Sequence, residues 1–248
     1  MLKVDSVGKT YKKGGWFSSE KQEVLKSVSF ECKNGECLGI IGESGSGKST
    51  LGRLLLGIEK PDSGMVSLDG KIVEDRKVRL GSISAVFQDY KSSINPFYTV
   101  EDAILEPMQI LNKSRRENKV KVVQLLNQVG LPTSYRNKYP HELSGGEVQR
   151  VCIARAISTE PKCIILDEAI SSLDVSVQTQ VLELLKELRR IYHMSYIFIT
   201  HDIQAAAYIC DRLIIFRDGQ IEEIVGIEQL KDVQSVYAKK LLQSLITF

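Results

Sequence analysis

Residues 36–57 constrain this chain more than any other stretch. Cys37-Leu38-Gly39-Ile40-Ile41 is a short apolar run, Gly42-Glu43-Ser44-Gly45-Ser46-Gly47-Lys48-Ser49-Thr50 is a glycine-rich turn, and Leu51, Leu54 and Leu55 follow at helical spacing. The order is strand, loop, helix. Gly42, Gly47, Lys48 and Ser49 fit the pattern G-x-x-x-x-G-K-[ST].

That pattern has a chemical reason. Gly42, Gly45 and Gly47 are expected to take backbone angles closed to other residues, so that consecutive amides from Glu43, Ser44 and Ser46 through Thr50 can turn inward on a phosphate chain. The positive end of the following helix adds to that field. Lys48 brings a mobile point charge to the terminal phosphates, and the Ser49 hydroxyl can complete the oxygen shell of Mg²⁺. The implied ligand is a nucleoside triphosphate. A glycine turn serving only as punctuation would need neither the Lys-Ser ending nor the strand and helix around it.

Length and composition set outer bounds. A chain of 248 residues can bury a sizeable core, and its 43% hydrophobic and 26% charged fractions are those of an ordinary globular protein. With 33 Lys+Arg against 31 Asp+Glu, the net charge of +2 gives no whole-chain signal for nucleic acid or a membrane surface. No apolar run approaches the roughly 18 residues of a membrane-spanning helix, and residues 1–5 lack a secretory apolar stretch, so the chain is expected to stay in the cytosol. Its five cysteines, Cys32, Cys37, Cys152, Cys163 and Cys210, show no C-x-x-C spacing and read as buried thiols.

Ahead of the glycine turn, residues 2–7, 10–11 and 24–30 alternate as strands, joined by a polar loop at 14–19. Tyr11 could stack on a base, or simply pack as strand tyrosines do. Asn34-Gly35 is a turn, and residues 65–68 and 71–73 read as a hairpin around Asp69-Gly70. Residues 83–87 form a strand ending at Gln88, which offers a carbonyl to Mg²⁺ or only turns the chain. From 89 to 161 the pattern is helix and loop. A helix is expected over 100–111, and another over 114–129 capped by Ser114, with Val120, Val122, Val123, Leu125, Leu126 and Val129 on one face.

Leu143-Ser144-Gly145-Gly146-Glu147 is a second glycine-rich helix start, with Ser144 as cap and Glu147 three residues on. It is again a place where an anion can bind. Residues 163–168 read as a buried strand ending in two carboxylates. Acids beside an apolar run ask for a cation, so Asp167 would hold Mg²⁺ directly or through water, and Glu168 could deprotonate an attacking water. Asp174 precedes an amphipathic helix over 176–192 with Val177, Val181, Leu184, Leu185, Leu188 and Ile191 inward. The strand at 196–200 delivers His201 to its carboxyl end, where it could meet a γ-phosphate, while His141 and His193 read as structural. Strands at 213–216 and 221–225 flank the Asp218-Gly219 turn, and residues 227–248 look helical.

In this order and spacing the phosphate loop, Gln88, the 143–147 segment, Asp167-Glu168, Asp174 and His201 resemble the ATP-binding subunit of ATP-binding-cassette transporters over nearly the whole chain. The resemblance implies an α/β fold: a P-loop NTPase with a RecA-like core, an N-terminal antiparallel β subdomain and an inserted α-helical subdomain at about 89–160, all in one nucleotide-binding domain. It implies ATP and Mg²⁺ as cofactors, Tyr11 on the adenine, Gln88 sensing metal and nucleotide, Glu168 as catalytic base and His201 on the γ-phosphate. Ser144, Gly145, Gly146, Glu147 and Asp174 would then serve the ATP held by a second subunit packed head to tail. The further partners implied are two integral membrane permeases and an extracellular substrate-binding protein, with the chain on the cytoplasmic face of the membrane.

A narrower likeness lies in Phe87-Gln88-Asp89, residues 92–96 and residues 139–142, which look like the ATPases of peptide and nickel importers. Ala169-Ile170 in place of Pro-Thr is similar to nickel-type and metallophore-type members. The expected function is ATP hydrolysis driving uptake of nickel, a metal chelate or a short peptide. Two other readings exist. A cytosolic relative acting on nucleic acid or ribosomes is disfavoured by the single cassette and the lack of a basic patch, and a regulatory subunit without turnover by the filled catalytic positions.

Overall fold

The computed structural model describes residues 1–12, 21–89, 92–111 and 115–246, so the expected 14–19 loop and the Ser114 cap lie outside the described residues. The chain divides into two compact units, Met1–Leu80 with Ser195–Phe248, and Gly81–Met194.

The first unit opens with β1 (Leu2–Lys12), paired antiparallel to β2 (Lys21–Cys32) from Leu2↔Cys32 to Lys12↔Lys21. Alternate side chains, among them Leu2, Val4, Leu25, Val28 and Phe30, are buried, as a sheet with one covered face requires. The sequence suggests a break between residues 7 and 10, yet β1 is continuous. Register shifts after Val4 and Val7, with Ser6 and Ser27 at φ 49° and 51°, absorb the irregularity. All five residues of β3 (Cys37–Ile41) are buried, and α1 (Lys48–Leu55) follows. β4 (Ser63–Leu68) pairs with β1 and with β5 (Lys71–Ile72), through a tight turn in which Asp69 and Gly70 both have positive φ. The short α2 (Arg76–Arg79), without a periodic signal of its own, ends this stretch.

The second unit holds β6 (Ile83–Phe87), α3 (Val100–Ile110), α4 (Arg115–Gln128), α5 (Gly145–Ile157), β7 (Cys163–Asp167) and α6 (Val175–Tyr192). Among the described residues between 89 and 160, every regular element is helical. Val122, Leu125 and Leu126 on α4 and Val129 just past its end are buried, but Val120 is 57% exposed and Asn118 takes the position one turn before Val122. A face built by counting only apolar residues misplaces the stripe when a polar side chain occupies it. Ile191, expected inward on α6, is 48% exposed, while Leu182 is buried.

The chain then returns to the first unit with β8 (Ser195–Thr200), α7 (Ile203–Ile209), β9 (Arg212–Arg217), β10 (Gln220–Gly226) and α8 (Val236–Ile246). Here β3 lies parallel to both β8 and β9, and β10 is antiparallel to β9. α7 is too short to leave a helical period in the sequence. The tail is less uniform than expected: a 3₁₀ segment, Ile227–Asp232, precedes α8. The start of β3 is fixed by Glu36, 8% exposed, which accepts from Arg212 Nε at 2.5 Å and from the Lys33 amide at 2.6 Å. All five cysteines are buried, and burial pushes the Cys152 thiol up to about 12.

Candidate functional site

The phosphate loop sits in the first unit, where β3 ends. Gly45 and Gly47 have φ of 80° and 105°, so both need glycine for the dihedral alone. Gly42 does not. A Cβ there would lie 2.1 Å from the Phe216 carbonyl oxygen, so the expectation of an unusual backbone angle at Gly42 is replaced by close approach of β9. Gly47 caps α1 without any side-chain hydrogen bond, since glycine has no side chain to offer the first turn of the helix. Lys48 is buried and its ammonium donates to the carbonyls of Gly42 at 2.8 Å and Glu43 at 2.7 Å, folding the side chain back over the loop. Ser49 is exposed, whereas Thr50 is buried and its hydroxyl accepts from Arg53 Nη2 at 3.1 Å.

Other parts of the same unit brace this loop. The Gly219 amide donates to the Ser46 carbonyl at 2.9 Å, and the Glu43 amide donates to the Tyr237 hydroxyl on α8 at 3.4 Å. The Arg217 guanidinium lies 4.8 Å from the centre of the Tyr237 ring. Tyr11, at the far end of β1, is half-buried, and its hydroxyl donates to Glu59. His201 is exposed just past β8, where Asp202 caps α7 by accepting from the Ala205 amide at 3.0 Å. Tyr237, Glu59 and Arg53 escaped the sequence reading, since none belongs to a spaced motif.

The second unit assembles a different group. β6 runs parallel to β7 with Phe87 opposite Asp167, so Gln88 and Glu168 leave neighbouring strands at the same end. The strand stops at Asp167, one residue earlier than expected, because Glu168 is left-handed, with φ 48°. The Ser171 amide and hydroxyl donate to the Glu168 carbonyl at 3.2 and 3.0 Å and hold that turn. Gln149, fully buried on α5, donates to the Ala169 carbonyl at 2.6 Å, and Gln178 on α6 donates to those of Ile170 and Leu173. These glutamines tie two helices to the segment that carries Glu168, another contact with no sequence signal.

The second glycine-rich start is a full capping box. The Glu147 amide donates to the Ser144 hydroxyl, and the Ser144 amide and hydroxyl donate to Glu147 Oε2 at 2.8 and 2.9 Å. The Tyr135 hydroxyl donates to Oε1 at 2.8 Å. The Ser144 amide, then these hydroxyls, hold the Glu147 carboxyl below its usual range, so it is ionised at neutral pH. Gly146 leaves room for α6, since a Cβ there would lie 2.8 Å from Val177. Asp174 is exposed at the start of α6 and its carboxylate makes no capping bond. His141 stacks on Tyr139 and His193 ends α6 at φ 51°, away from these groups in role.

As chemistry, one unit offers a cation and helix amides to an anion. The other offers a strand-end acid pair and a second helix start. An exposed Ser49 hydroxyl, an exposed Gln88 carbonyl and the Asp167 carboxylate are all hard oxygen donors of the kind Mg²⁺ takes.

Comparison with known proteins gives the arrangement a family. The model described as ABC transporter matches residues 25–171. The chain is 50% identical over 249 residues to the metal-staphylopine import system ATP-binding protein CntF of Staphylococcus aureus (strain NCTC 8325), covering 100% of both. It is 39% identical to the nickel import ATP-binding protein NikE of Escherichia coli O157:H7, over 99% of this chain and 94% of that one. The dimeric post-hydrolysis ATP-binding cassette MJ0796 bound to ADP and Pi matches with a TM-score of 0.81 at 32% identity, over 92% of this chain and 99% of that one. Full-length likeness of this kind, on a P-loop NTPase fold, shows that the chain belongs to the ABC transporter family, as an ATP-binding subunit with ATPase activity.

Proposed function

We propose that the chain powers an importer for nickel or a metal chelate, with short peptides as the second cargo class. The resemblance to CntF and NikE, whose names describe import of metal–staphylopine and of nickel, favours metal cargo. In this reading residues 1–248 form one nucleotide-binding domain with a helical subdomain at about 89–160. It pairs head to tail with a second cassette, itself or a related chain, on the cytoplasmic face of two permeases served by an external binding protein.

Within each site, the amides from Gly42 to Thr50 and the Lys48 ammonium hold the polyphosphate, and Tyr11 lies against the adenine. Ser49, Gln88 and Asp167 would hold Mg²⁺, which supplies charge neutralisation on the phosphate oxygens when bound. Glu168 accepts the proton of the attacking water, and His201 donates to the γ-phosphate. The partner's second glycine-rich start, equivalent to Ser144, Gly145, Gly146 and Glu147, closes the site, with Asp174 at the shared boundary.

One observation supports this most: the strand register that pairs Phe87 with Asp167, so that Gln88 and Glu168 leave neighbouring strands at the same end. Glu168→Gln keeps the size of the side chain and removes its basicity. In the assembled transporter it should lower phosphate release at least about 100-fold while ATP binding stays within about twofold. Unchanged turnover would remove Glu168 from its role.

A further inference from the structure

A ring serves as a platform for a base only if it is held still, and Tyr11 has one face and one polar end to fix. Its hydroxyl donates to Glu59 Oε2. The other oxygen of that carboxylate accepts from Arg53 Nε at 2.6 Å, and Arg53 Nη2 donates to the Thr50 hydroxyl at 3.1 Å. Thr50 directly follows Ser49 in the phosphate loop. The chain of contacts therefore runs from β1 through the segment after α1, back into the first turns of α1, and ends next to the residues that face the phosphates. All of it lies within one unit.

The surroundings restrict the ring further. The Lys9 ammonium sits 5.6 Å from the ring centre and is itself held by the Lys60 carbonyl at 2.7 Å and Asp62 at 3.2 Å. Asp62 also accepts from the Thr10 amide at 2.7 Å, so the two residues that precede Tyr11 are both pinned to residues 60–62. Charged partners make such hydrogen bonds stronger and more directional than neutral ones.

We propose that Glu59 is a positioning residue for the nucleotide base: it fixes the Tyr11 ring and, through Arg53, sets its place relative to the phosphate loop. This rests on the reading of Tyr11 as the base platform. Without the carboxylate the ring loses the partner that fixes its polar end, and that order must be restored on binding. The loop amides and Lys48 are untouched, so a ligand with phosphates and no base does not sense the change.

The test compares Mg-ATP with magnesium tripolyphosphate, which lacks ribose and base, by calorimetric titration of the full chain. Glu59→Ala should weaken Mg-ATP about three- to tenfold and leave tripolyphosphate within about twofold. Tyr11→Phe, which keeps the ring and removes only the hydroxyl, should match it, and the double variant should be no weaker than either single one. Equal losses for both ligands in Glu59→Ala would make Glu59 a support of the loop itself and overturn the inference. So would wild-type ATP affinity in Glu59→Ala and Tyr11→Phe together with a loss in Tyr11→Ala, an outcome that leaves the platform standing. Wild-type ATP affinity in Tyr11→Ala would overturn the platform reading and this one with it.

Discussion

Two glutamates show how single residues carry opposite demands. Glu168 is held at φ 48°, a region that costs a side-chain-bearing residue about 1–2 kcal/mol, and the Ser171 bonds to its carbonyl sustain the turn. The strain redirects the chain immediately after the strand. Glu147 is the relaxed counterpart, a carboxylate satisfied by an amide and two hydroxyls. Because those donors lower its folded pKa, their stabilisation is fully present above the ordinary carboxyl value near 4.5 and fades as pH falls through the lowered value. Urea unfolding of wild type and Glu147→Gln from pH 7 to pH 3 should therefore give a difference that is constant above about pH 4.5 and shrinks below it. A difference that grows on acidification would contradict the capping role. The residue types of both glycine-rich starts were legible from spacing. The reason for Gly42 was not, because the crowding carbonyl belongs to Phe216, far along the chain.

At the scale of elements, short apolar strands were the most legible. β6 matches its expected bounds and β7 and β8 differ by a single residue, since apolar runs bounded by turn residues leave little choice. Faces of amphipathic helices were less legible, as Val120 and Ile191 show, because packing and not composition decides which stripe is covered. The contacts that unite elements left no trace in the sequence. Gln149 is one of these, a fully buried side chain whose bond to the Ala169 carbonyl joins α5 to the loop after β7. Gln149→Leu keeps the bulk and strands that carbonyl, so stability should fall by about 1–3 kcal/mol in urea unfolding. Turnover should fall more than ATP affinity, since the segment displaced carries Glu168 and not the phosphate loop. A variant as stable as wild type would mean the amide contributes nothing to the segment.

Over the whole molecule, the chain divides its chemistry between two units, the anion-binding loop in one and the acid pair with the second helix start in the other. No helix among the described residues is long and apolar enough to cross a membrane. The fold class and the order of motifs were legible because each motif brackets itself with a strand or a helix. The cargo was not, because nothing in a phosphate loop or an acid pair depends on what the transporter moves. What the account requires first is that a polyphosphate binds across the amides leading into Lys48. Equilibrium titration of Mg-ATP against wild type and Lys48→Ala measures this directly. The account predicts saturable binding by wild type and a loss of at least about tenfold in the variant, whereas equal affinity in the two proteins would contradict it.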